Sequence, residues 1–120
     1  MYCVDEAVYR QIRKKLLCPE QGGILGVDAH GKVTFFYHDV TGVTDGKYYC
    51  PNVARLNNVI VDWAELGIAF IGFVHTHKNK CKLSTTDLEY AKLIKNACHM
   101  SQIIMMVYVL EKNIFFEYVI

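Results

Sequence analysis

The segment Ile68 to Val74 reads IAFIGFV, an almost unbroken apolar run of strand length. Without polar alternation, such a run suits a strand covered on both faces, and that demands a sheet with helices packed on either side. It leads directly into His75-Thr76-His77, which places two histidines at the end of a central strand.

The remaining segments supply the covers. Between Val4 and Leu17 the residues Val4, Ala7, Val8, Ile12 and Leu16 recur at helical spacing until Cys18-Pro19 stops the pattern. Two strand-like runs follow, Ile24 to Val27 and Lys32 to His38, joined by the hairpin turn Asp28-Ala29-His30-Gly31. Val40 to Tyr49, with Gly42, Asp45 and Gly46, reads as loop or ragged strand. Pro51 suits the first turn of a second helix, whose apolar stripe is Val53, Leu56, Val59, Ile60, Trp63 and Leu66, ending at Gly67. A third helix begins after Ser84, and two apolar strands close the chain, Ile103 to Leu110 and Ile114 to Ile120. The order predicts one α/β domain over residues 1–120, a central mixed β-sheet flanked by helices.

Composition narrows the functional classes. With 52% apolar and 21% charged residues the chain has the profile of a globular protein. A net charge of +1, with Lys and Arg spread along the chain, gives no footprint for nucleic acid. No apolar run reaches membrane-spanning length, so no membrane partner is expected. Five cysteines without a CxxC pair suit free thiols in a reducing compartment, and the expected location is cytoplasmic.

Chemistry gathers around the histidines. Side chains alternate along a strand, so His75 and His77 point the same way and can reach one metal ion. A bare His-x-His is also compatible with two unrelated polar residues at a strand end. Seven residues beyond His77 lies Ser84, followed by Thr85-Thr86-Asp87, so a loop can return an acidic oxygen to the same point. Ser84-x-x-Asp87 equally resembles a capping box with Asp in place of Glu or Gln, and the two roles are compatible. Glu20 precedes Gly22-Gly23 in PEQGGILG, where close backbone packing around a carboxylate is expected; a lone loop Glu is otherwise solvated surface. GGxxG lacks the spacing of a phosphate-binding loop.

In order, EQGGILG, WAELGIAFIGFVHTH and LSTTD resemble the signature of the JAMM (MPN+) metalloprotease family over nearly the whole chain. That pattern is a Glu before a Gly-rich strand, then His-(Ser/Thr)-His, then Ser-x-x-Asp after a short loop. The resemblance implies a cytidine-deaminase-like core, one Zn2+ per chain held by His75, His77 and Asp87, Glu20 as catalytic carboxylate and Ser84 as oxyanion support. Two departures fall in one segment: Lys78 stands where the family usually has Pro, and the loop to Ser84 is one residue shorter. Cys81 has three readings: surface thiol, packing residue, or soft ligand able to occupy the open zinc position.

The resemblance further implies a zinc isopeptidase or peptidase acting on a protein or peptide substrate, such as the Gly-Gly tail of a ubiquitin-like or sulfur-carrier protein. The alternative is a non-catalytic MPN-type scaffold, whose apolar C-terminal strands ending at Ile120 would form an interface, including a homodimer. A nucleic-acid-associated relative with the same metal pattern is disfavoured by the near-neutral charge.

Overall fold

The computed structural model describes residues 2–44 and 49–120. In chain order the elements are β1 (Cys3–Val4), α1 (Glu6–Lys15), β2 (Gly22–Val27), β3 (Lys32–His38), β4 (Val43–Thr44), β5 (Tyr49–Cys50), α2 (Val53–Glu65), β6 (Ala69–His77), α3 (Thr85–Ala97), β7 (Ile104–Val109) and β8 (Ile114–Val119). Six strands form one mixed sheet in the order β1-β3-β2-β6-β7-β8, while β4 and β5 pair separately. The expected class, a mixed sheet flanked by helices, is the one observed.

The apolar run does occupy the middle of the sheet. β6 lies antiparallel to β2 and parallel to β7, and every residue from Ile71 to His77 is buried. As expected, both histidines lie at the end of this strand, which finishes on His77. A parallel neighbour requires a crossover connection, and α3 provides it between β6 and β7. Ile71 is the extra residue of a bulge, since Leu25 pairs with Gly72 while Gly26 pairs with Phe70. Beyond it, Val74 belongs to the core with Val8, Ile12 and Leu16 of the α1 segment, whereas Phe73 belongs to the core with Leu56, Trp63 and Ala91 of α2 and α3. His75 and His77 therefore share the α2/α3 face, and Thr76 faces the α1 side.

Several boundaries differ from expectation for local reasons. The first helix starts at Glu6, because Asp5 caps it with Oδ1 accepting from the Ala7 N–H at 2.9 Å. That frees Cys3–Val4 to pair parallel with β3. Pro51 lies ahead of the second helix, whose cap is Asn52 accepting from the Arg55 N–H. Of the expected stripe on α2, Leu56 and Trp63 are buried while Val53 and Leu66 face solvent. The loop expected over 40–49 contains the β4–β5 pair, and its residues 45–48 lie outside the described residues. The hairpin turn is as expected, with the Asp28 N–H donating to the Lys32 carbonyl and Gly31 at φ +77°.

Gly22 and Gly23 allow close packing at the start of β2. A Cβ on Gly23 would lie 2.1 Å from the Tyr37 carbonyl oxygen, and one on Gly22 would lie 2.4 Å from the Tyr49 ring. The glycines thus admit β3 and Tyr49. Among the described residues no helix is long and apolar enough to cross a membrane, and all five cysteines are free.

Candidate metal centre

The centre is assembled from three directions. β6 presents His75 and His77, each less than a tenth exposed, with their Nε2 atoms 2.9 Å apart. α3 brings Asp87 from its first turn: Oδ2 lies 3.2 Å from His75 Nε2 and 3.7 Å from His77 Nε2. The turn after α1 brings Glu20, which with the two histidines forms a group whose ligand atoms lie within 4.8 Å of one another.

These distances test whether the donors suit an ion. Tetrahedral zinc, with ligand bonds of about 2.0–2.1 Å, requires ligand atoms roughly 3.3 Å apart. The three edges of the His75–His77–Asp87 triangle are 2.9, 3.2 and 3.7 Å, which bracket that value. The Nδ1 of His77 lies 3.1 Å from the Lys80 carbonyl oxygen. In the neutral ring that acceptor places the proton on Nδ1 and leaves Nε2 bare, the tautomer a metal ligand needs, whereas the protonated ring also carries a proton on Nε2 toward Asp87. Glu20, His75 and His77 could thus hold a metal ion, with Asp87 in reach of the same point.

Asp87 combines its two expected roles. Its Oδ2 accepts from the Ser84 N–H at 3.0 Å while Ser84 Oγ accepts from the Asp87 N–H at 3.0 Å, a complete capping box. The same Oδ2 faces the imidazoles. Burial alone would raise the Asp87 pKa, but hydrogen bonding to His75 and His77 outweighs it and holds the carboxyl well below its ordinary range. The pKa of His77 is raised, chiefly by that bond to Asp87 and against the effect of burial.

Thr76 positions Glu20, a function not assigned from sequence. Its side chain is fully buried on the α1 face, where Oγ1 donates to the Cys18 carbonyl at 2.6 Å and accepts from the Gln21 N–H at 3.0 Å. Its backbone N–H donates to the Gln21 carbonyl, and its carbonyl accepts from the Glu20 N–H. Glu20 itself sits at φ +59°, a left-handed conformation costly for a residue with a Cβ and sustained here by these bonds. The available signal was a hydroxyl on the core side of an otherwise apolar strand, which must find a partner.

The loop between His77 and Ser84 is pinned at several points. Leu110 N–H donates to the His77 carbonyl, Glu111 N–H to the Lys78 carbonyl, and Tyr118 Oη–H to the Cys81 carbonyl at 2.7 Å. Cys81 is half-buried, and Lys112 Nζ lies 3.4 Å from its Sγ.

Two cavities meet at the centre. An open one of about 970 Å³ is lined by Glu20, His77, Ser84 and Asp87 together with the 78–83 segment. A smaller one of about 350 Å³ reaches His75 and Asp87 and is lined by Phe73, Tyr90 and Met105. Tyr49 also lines it, its hydroxyl donating to Asp39 Oδ2 at 2.5 Å; burial and that carboxylate push its pKa up. All five residues singled out from the sequence therefore border one or the other cavity.

No family model matches the sequence, and no curated protein matches it. Among solved structures, the solution structure of protein DSY2949 from Desulfitobacterium hafniense aligns with all of this chain and 84% of that one, at 14% identity and a TM-score of 0.73. At that identity the likeness is one of fold.

Proposed function

We propose that this chain is a zinc-dependent amide hydrolase of the JAMM (MPN+) type, a peptidase or isopeptidase, with His75, His77 and Asp87 as ligands. The observation that carries this reading is the convergence of two buried imidazoles and a carboxylate at the edge lengths of a tetrahedral site, with Glu20 beside them.

A bound zinc ion would supply Lewis acidity at the amide carbonyl and lower the pKa of water to about 7. Glu20 takes a proton from the attacking water as oxygen bonds to the carbonyl carbon, and returns it to the nitrogen as the C–N bond breaks. Ser84 donates a hydrogen bond from its hydroxyl to the developing oxyanion, since its bond to the Asp87 N–H uses only a lone pair. Thr76 holds the Glu20 turn in register with the histidines. The substrate class proposed is the C-terminal tail of a ubiquitin-like or sulfur-carrier protein, in a reducing compartment consistent with five free thiols.

The test is hydrolysis of a Gly-Gly-linked fluorogenic amide by zinc-loaded protein. Turnover is expected, with loss on chelation and recovery on zinc return. Turnover unaffected by chelation, or none with any amide after full zinc loading, contradicts the reading. The complete donor set also weighs against the non-catalytic scaffold, which has no comparable observation in its favour.

A further inference from the structure

The open cavity is unevenly charged. Four lysines line it, Lys78, Lys80, Lys82 and Lys112, against two carboxylates, Glu20 and Asp87. Both carboxylates belong to the metal centre. Lys78 reaches Glu111 only at 4.0 Å, and among the described residues no carboxylate pairs with Lys80, Lys82 or Lys112. Three of the lysines alternate along the exposed segment KNKCK, and the fourth joins them from the β7–β8 turn, beside Cys81. A chain of net charge +1 thus concentrates cationic side chains around one cavity mouth. The smaller cavity, by contrast, is walled mainly by apolar and aromatic side chains.

We infer that the lysine rim selects substrates carrying a carboxylate next to the scissile amide. This rests on the amide-hydrolase reading of the same cavity and adds the chemical class of substrate to it. A concave wall of one charge sign focuses its field on what enters and raises the local concentration of complementary ligands. Lysine ammoniums on flexible stems suit a carboxylate whose position varies, as a bidentate arginine would not. Because the groups are solvated, their contribution goes into binding and falls with salt. The lysines therefore govern KM and leave kcat nearly untouched. The carboxylate has two sources, an Asp or Glu side chain or the α-carboxylate of a short leaving segment.

Titration calorimetry on the zinc-loaded protein at low ionic strength tests this with matched peptides. One carries acidic side chains and an amidated terminus, one is neutral with a free terminus, one is neutral and amidated, and one is basic. At least one carboxylate peptide is expected to bind on the order of tenfold more tightly than the neutral amidated peptide, and which one does so names the source. The preference is expected to shrink with salt and to vanish in Lys80→Glu/Lys82→Glu/Lys112→Glu. The corresponding Gln triple variant should be intermediate and serves if charge reversal perturbs folding. Equal binding of all four peptides, no binding of either carboxylate peptide, or a preference unchanged in the variants overturns the inference. Amide turnover is read separately: hydrolysis without charge selection defeats this inference alone, and charge-selective binding without hydrolysis defeats the enzymatic reading alone.

Discussion

The two faces of β6 use polar side chains in opposite ways. On the α1 face Thr76 is completely buried and spends its hydrogen-bonding capacity on the backbone of residues 18–21. On the α3 face His75 and His77 direct their Nε2 atoms toward each other and toward Asp87, with Glu20 close by. One face thus organises chain and the other gathers donors. A buried polar group secures backbone where its partners are carbonyls and amides, and forms a site where its partners are ionisable groups beside a cavity.

If that division is correct, Glu20→Gln should have the largest effect on turnover, a fall of about 10²–10⁴, with zinc retained. Steady-state kinetics beside elemental analysis checks it, and metal loss in this variant would move Glu20 into the ligand set. Ser84→Ala should lower kcat by about 10²-fold through the oxyanion. It should also cost about 1 kcal/mol of stability through the lost cap, measured by denaturant unfolding. Loss of stability without loss of kcat would confine Ser84 to capping. Thr76→Val should keep zinc yet reduce kcat by ~10²-fold through misplacement of Glu20. The unsatisfied Gln21 N–H should cost a further ~1–3 kcal/mol. Full activity in that variant would break the comparison between the faces.

The smallest effect concerns pH in the metal-free protein. The pKa of His77 is raised above 6.5, so its pairing with Asp87 contributes fully below 6.5 and is lost as pH rises through the folded value. Asp87 is depressed below 3.8, so its share is present above 3.8 and lost as pH falls through its folded value. Thermal melts of zinc-free protein should therefore gain more from this pair at pH 5.5 than at pH 8, relative to His77→Ala. Zinc requires neutral imidazoles, so affinity should fall on acidification, beginning above pH 6.5. A pH-independent affinity over that range would contradict the arrangement.

Much of this was legible in IAFIGFV followed by His-Thr-His, because a doubly covered strand leaves a strong apolar signal and period-two alternation puts both imidazoles on one side. Ser84-x-x-Asp87 was legible for a similar reason, since a capping box is local. The two-residue strand Cys3–Val4 left no such trace, because so short a segment has no periodicity and is set by pairing with β3. The role of Thr76 depends on a turn 55 positions earlier in the chain. Likewise the lysine rim joins residues 78–82 to Lys112, a neighbourhood created by the return of β7 and β8.

The most direct measurement is the metal content of protein purified without added metal or chelator, for the wild type, His77→Ala and Thr76→Val in parallel. About one zinc per chain is expected in the wild type and in Thr76→Val, and little in His77→Ala. No zinc in the wild type even after reconstitution, or zinc undiminished in His77→Ala, would contradict a metal centre on this face of β6.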